Sequence, residues 1–138
     1  MSLIASDTAE RSVFEAIFNA LDRSSRDVIG PVIPRLLVIP ILNGAGDVAG
    51  GFWGVTLFRW LEIEMLFVPE AMRGRGVGSA LMTTAEAEAR GRGCLGIRVD
   101  TFSFQAGPFY RKMGFSLFGA LDDCPPGYQR MFFQKRLT

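Results

Sequence analysis

Of the 138 residues, the stretch best suited to chemistry is Arg73-Gly-Arg-Gly-Val-Gly78, three alternate glycines and two arginines with Ser79 behind them. It falls between an apolar run ending at Val68 and a helical pattern beginning at Val77. Without Cβ atoms, Gly74, Gly76 and Gly78 let an anion approach the unpaired N–H groups of a helix's first turn, where the helix dipole is positive. Arg73 and Arg75 add mobile positive charge. The stretch reads as a phosphate or pyrophosphate cradle. A P-loop would close on Gly-Lys-Ser or Gly-Lys-Thr, and no lysine is present here. A dinucleotide fingerprint, Gly-x-Gly-x-x-Gly counted from Gly74, meets Ser79 where its third glycine belongs. Asp100 stands where a ribose-binding acid would, so a dinucleotide-binding oxidoreductase stays open as an alternative.

The chain contains no histidine, which excludes Ser-His-Asp and Cys-His catalysis and imidazole metal sites together. Acid and base work falls to carboxylates, Tyr or Lys. Cys94 and Cys124 are too few for a disulfide framework or a four-thiolate zinc site, and their use suits a reducing cytoplasm. No metal is expected. With 15 basic and 14 acidic residues the net charge is +1, so no global field recruits nucleic acid or an anionic membrane. The longest stretches without a charge, Leu36–Gly46 and Val48–Phe58, are 11 residues, short of the roughly 18 needed to span a bilayer. The sequence also reads without a secretory signal, and a cytoplasmic location is expected.

The elements that must position the glycine stretch follow from periodicity. Asp7-Thr-Ala-Glu10 reads as a capping box before Val13, Phe14, Ile17, Phe18 and Leu21 at helical spacing, predicting a helix over 8–22 and a break from Ser24 to Pro34. Leu36–Leu42, interrupted by Pro40, reads as an edge or bulged strand. Asn43–Asp47 supplies turn residues, and strands over 48–58 and 60–68 complete three antiparallel strands. Glu62 and Glu64 share one face of the third, because side chains alternate. A helix over 77–90, a strand over 94–102, a short helix over 106–113 and strands over 115–121 and 128–137 finish the order. One domain over 1–138 is expected, α/β, with a mixed and largely antiparallel sheet, one central parallel βαβ crossover and flanking helices.

Within that frame, Arg73-x-x-Gly76-x-Gly78 resembles the pyrophosphate motif of the GNAT superfamily of acyl-CoA-dependent N-acetyltransferases, a resemblance covering roughly 33–137. Leu66-Phe-Val-Pro-Glu70 precedes the loop at that family's usual distance, and Phe109-Tyr-Arg-Lys-Met-Gly-Phe115 resembles its Tyr-x-x-x-Gly-Phe motif. The resemblance implies acetyl-CoA as acyl donor, wedged between two splayed parallel strands ending at Val68 and near Thr101. It implies that Leu66, Phe67 and Val68 offer backbone groups to the pantetheine arm and thioester, and that Arg73, Gly74, Arg75, Gly76, Val77, Gly78 and Ser79 hold the pyrophosphate.

The same resemblance implies that Tyr110 protonates the departing thiolate, which a phenol of ordinary pKa about 10 can do at neutral pH. Glu64 or Glu62 then takes the proton that an amine acceptor must lose before attacking, with Asp100 a third candidate. Ser103 stands where many relatives carry a cofactor-binding Asn. Gln105, Asp122 and Asp123 are candidates to line the acceptor cleft, a solvated turn being the competing reading for the two aspartates. The acceptor is expected to be a small-molecule or peptide amine. Phe132 and Phe133 point to opposite faces of the last strand, so that one either marks a homodimer contact or is buried under the N-terminal helix. The alternative within the same resemblance is a catalytically silent acyl-CoA-binding or sensing domain.

Overall fold

A computed structural model describes residues Met1–Thr138. The chain divides into two compact units, Met1–Ile33 and Pro34–Thr138.

The first unit carries one helix, α1 (Arg11–Ile29), which begins three residues later and ends seven residues later than its apolar periodicity predicts. Asp7 does not cap it. Glu10 occupies the N-cap without a side-chain hydrogen bond, while the Ser6 and Thr8 hydroxyls bond to one another. Ser24 and Ser25 do not break the helix, because neither a glycine nor a proline intervenes before Gly30. There φ reaches 78°, the N–H donates to the Arg26 carbonyl, and Pro31 prevents continuation. Ion pairs Arg11–Glu15 and Asp22–Arg26 at i,i+4 support its exposed turns. No residue of α1 is buried, and Phe14 stacks on Phe18 at 6.0 Å.

The second unit is a sheet of β1 (Arg35–Leu42), β2 (Val48–Leu57), β3 (Trp60–Phe67), β4 (Gly96–Phe102), β5 (Ser116–Asp122) and β6 (Gln129–Arg136). It carries the helices α2 (Val77–Gly91) and α3 (Gly107–Lys112) and a short 3-10 turn at Glu70–Met72. The strand order is β1-β2-β3-β4-β6-β5, with β3 and β4 parallel and every other neighbouring pair antiparallel. The mixed sheet with one central crossover expected from the element order is therefore present. Pro40 lies in β1 at the sheet's edge, where its missing N–H is tolerated. The β1–β2 turn is closed by Asn43, whose Oδ1 accepts from the N–H groups of Ala45 and Asp47.

Alternation decides which face is core. Leu37 of β1, Phe52 of β2, Leu61 and Ile63 of β3, Ile97 and Val99 of β4 and Phe133 of β6 are buried with Leu81, Met82, Ala85 and Ala89 of α2. Phe52, at 2% exposure, is among the largest fully buried side chains. Its replacement by alanine is expected to lower unfolding free energy by about 3–5 kcal/mol, measured as a shift in the urea midpoint.

Helix α2 is also tied to β6 by charge. Glu86 accepts from Arg90 at 3.0 Å and from Lys135 at 2.9 Å, and Lys135 also donates to the Met113 carbonyl. Burial by itself would raise the Glu86 carboxyl, but hydrogen bonds and charge from Lys135 and Arg90 outweigh it, and the pKa lies below the ordinary 4.5. A carboxylate whose folded pKa is depressed stabilises the fold above its unfolded pKa, and loses that contribution as pH falls through the folded value. Glu86→Gln is thus expected to be less stable than the parent by at most about 1 kcal/mol at pH 7. Thermal melts at pH 7 and below pH 4 should show the gap closing on acidification; a gap that persists would mean the carboxylate's charge is not what matters.

Candidate active site

The central parallel pair is short. β3 and β4 are in register only from Trp60–Gly96 to Ile63–Val99. Beyond that point the β4-facing edge of β3 has no strand partner, while β4 goes on pairing with β6 as far as Phe102–Arg130. The cause is local. A bulge opposite Trp53 and Gly54 inserts Glu64 between Ile63 and Met65, and bulges bend the strand that carries them. Gly50 of β2 allows the close approach that follows: a Cβ there would lie 2.5 Å from the Phe67 carbonyl oxygen. The two strands splay apart, as the family resemblance implies.

The glycine stretch lies at the end of β3 and opens α2. Gly74 and Gly76 have φ of 74° and 76°, conformations that favour glycine, and a Cβ on either would meet open space. Gly76 is the N-cap of α2, and the first helical bond runs from the Ala80 N–H to its carbonyl. None of the six successive N–H groups from Gly74 to Ser79 donates to any acceptor within the chain. A run of free amides at a helix N-terminus, with no side chain over it, fits an anion. Gly78 serves a different purpose from the one its spacing suggests, since a Cβ there would press on the Phe109 ring at 3.1 Å. It lets the start of α2 sit against α3.

The two arginines separate. Arg73 is held on the strand end, its Nε donating to the Val68 carbonyl at 2.9 Å and its guanidinium lying 5.4 Å from the centre of the Phe67 ring. Arg75 is exposed and makes no ion pair. Leu66 and Val68 pack against the core, whereas the Phe67 side chain is exposed.

Tyr110 projects from α3 with its ring buried among Phe109, Phe115 and Phe133. Its hydroxyl makes no hydrogen bond within the chain, yet no buried side-chain polar atom is left without a partner, so the oxygen reaches solvent. Desolvation of the ring pushes its pKa up to about 12, which keeps the phenol protonated throughout the neutral range.

The carboxylates are placed unequally. Glu62 and Glu64 lie off the buried face, alternating with Leu61 and Ile63. Glu62 accepts from Arg98 at 2.7 Å and lines a surface cavity of about 390 Å³ at the Trp60 end of β3, away from the glycine stretch. Glu64, exposed in the bulge where the strands part, has no ion-pair partner. Asp100 is held by Arg130, whose Nε and Nη2 both reach Oδ1. Ser103 is engaged as well: its N–H donates to the Gln129 carbonyl at 2.8 Å and its Oγ accepts from the Gln129 N–H at 2.9 Å. Gln105 Oε1 accepts from Thr101 and from the Phe102 N–H. Asp122 and Asp123 are exposed, accepting from Gln129 and from the Gly127 N–H respectively. No group of three Cys, Asp or Glu residues is arranged to hold a metal ion.

Sequence reasoning did not single out Phe109, Arg98 or Arg130. Phe109 was legible only as a core aromatic. The pairings of Arg98 and Arg130 depend on which strands become neighbours. Gly54, inside β2 at the register shift, is the signal that could have placed the bulge, since glycines inside a strand mark bulges and close approaches.

The Acetyltransferase (GNAT) family model matches residues 21–115. The chain is 38% identical to Acetyltransferase Atu2258 of Agrobacterium fabrum, over 99% of both chains. It is 41% identical to Blasticidin-S acetyltransferase of Streptomyces morookaense over 67% of this chain and 68% of that one. A crystal structure of an acetyltransferase from Agrobacterium tumefaciens superposes with a TM-score of 0.93 at 37% identity, covering 99% of this chain and 100% of that one. A family model over more than half of the chain and a relative matched along its whole length agree, and the chain belongs to the GNAT family of acetyltransferases.

Proposed function

We propose that the chain acetylates a small-molecule amine by direct attack on the bound thioester, with the six free amides from Gly74 to Ser79 as the observation that carries the reading. Bound acetyl-CoA supplies an activated acetyl group. Val77, Gly78 and Ser79 donate their amides along the helix dipole, Gly74, Arg75 and Gly76 complete the cradle, and Arg75 adds charge. Arg73 contributes by holding the strand end. The unpaired edge of β3, from Glu64 through Phe67, offers backbone groups to the donor's arm, with the Val68 carbonyl already taken by Arg73. Ser103 pins the loop after β4 and keeps its hydroxyl proton available for a contact.

An amine with a free pKa of about 10 is mostly ammonium at pH 7, so its proton must leave before it attacks. Glu64 takes this role in preference to Glu62, because it stands at the split and no guanidinium competes for it. Tyr110 gives its proton to the departing sulfur. Holding donor and acceptor side by side in the cleft supplies much of the acceleration. The family model spans both compact units, which supports a single functional domain over 1–138. Two curated relatives are named for the antibiotics they acetylate, blasticidin S and streptothricin, which supports a small-molecule amine as acceptor. No helix is long and apolar enough to cross a membrane, and a cytoplasmic site of action with no nucleic-acid or membrane partner fits the near-neutral charge.

Calorimetry with acetyl-CoA, CoA, NAD and ATP in parallel tests the cradle. Micromolar binding confined to the CoA species is expected; binding of NAD without CoA would favour the dinucleotide alternative. Glu64→Gln is expected to lower kcat/KM for the amine at pH 7 by about 10²-fold, with Glu62→Gln near the parent, in steady-state assays across pH 6–9. The reverse ranking would move the base to Glu62.

A further inference from the structure

The geometry points to an acceptor that carries a planar conjugated ring, seated on Phe104 and Tyr128 beside the split strands. This inference rests on the acetyl-transfer reading and adds the chemical class of the acceptor. Phe102 ends β4, beyond the last β3–β4 pair, on the face opposite buried Val99 and Thr101. Phe104 stacks on it with ring planes 4° apart and centres 5.4 Å apart, and Tyr128 meets Phe104 edge-on at 5.0 Å with planes at 76°.

Three aromatic rings in contact ordinarily close a core, yet here Phe104 is 54% and Tyr128 50% exposed. The Arg130 guanidinium lies over Phe102, 5.8 Å from the ring centre, leaving Phe104 and the Tyr128 edge as the open corner. The corner is also held in place before any ligand arrives. Ser103 exchanges two hydrogen bonds with Gln129, the Tyr128 N–H donates to the Pro125 carbonyl, and Gln105 ties the loop back to Thr101. A rigid ring face meeting a rigid ring edge accepts a flat π-system, by stacking on one and touching the other. Position makes it an acceptor subsite: the same loop joins the strand at the split to the helix that carries Tyr110. Unpaired Glu64, where the strands part, supplies a carboxylate that suits an ammonium group.

The test compares 2-phenylethylamine with 2-cyclohexylethylamine, which match in length and ring size but differ in planarity and π-character. The phenyl amine is expected to have the higher kcat/KM, by roughly three- to tenfold and chiefly through KM, even though the cyclohexyl ring is the more apolar. Phe104→Leu and Tyr128→Leu, each at an exposed position, should bring the ratio close to one. Equal rates for the two amines in the parent, or a preference that survives both substitutions, overturns the inference. The comparison is repeated as binding to CoA-saturated protein. Ring preference in binding without any acetylation overturns the acetyl-transfer reading and leaves the ring site standing, whereas equal binding removes the ring site.

Discussion

Tyr110→Phe is expected to lower kcat by about a hundredfold while changing acetyl-CoA affinity and melting temperature little, because one hydroxyl is all that the substitution removes. The ring's contacts with Phe109, Phe115 and Phe133 are kept, and the hydroxyl bonds to nothing within the chain, so its loss leaves no partner unsatisfied. Burial pushes the phenol up to about 12. The acid form is therefore full at every practical pH, and kcat should show no alkaline limb from this group below about pH 11. Steady-state kinetics and single-turnover measurements across pH 6–10 check both points. An unchanged kcat under conditions where chemistry limits turnover would falsify the role of the tyrosine.

Gly76→Asp is expected to raise the acetyl-CoA dissociation constant by about 30-fold or more, with the fold retained at a small cost in stability. Gly76 has φ 76° and ψ 11°, and space is open where a Cβ would go. Asp and Asn tolerate that conformation better than other side chains. The new carboxylate would answer the helix dipole itself and repel the incoming pyrophosphate. Gly76→Asn has nearly the same shape without the charge, and should weaken binding only about three- to tenfold. Calorimetry read with thermal melts separates the effects, because the backbone cost is common to the two variants and the charge is not. Equal weakening by Asp and Asn would show that steric cover, and not charge, governs the site.

The legible parts of this protein are those governed by local chemistry. Asn43–Asp47 closes a hairpin because Asn43 bonds its own turn, and Val77–Gly91 is a helix because its apolar residues recur every four positions over a glycine N-cap. The glycine stretch was readable for the same reason. Positive φ and free helix amides are properties of a few consecutive residues, so the conformations of Gly74 and Gly76 could be anticipated before any strand order was known. The end of α1 shows where such reasoning fails. Periodic apolar residues stop at Leu21, but a helix needs no apolar partner to continue through Asp22–Arg26 pairing until Gly30 halts it.

From sequence alone came the fold class, the parallel crossover and the glycine stretch, written in short-range spacing, while Tyr110 was singled out by the family resemblance. Tertiary structure alone decided what surrounds them. The bulge at Glu64 arises between two strands, and through it the backbone edge is freed and one carboxylate set at the split. Glu62 and Asp100 found Arg98 and Arg130 on strands distant in the chain, and Gly78 gave its missing side chain to Phe109 on a helix thirty residues on. Pairings of that kind depend on strand order and register, which spacing along one strand does not encode.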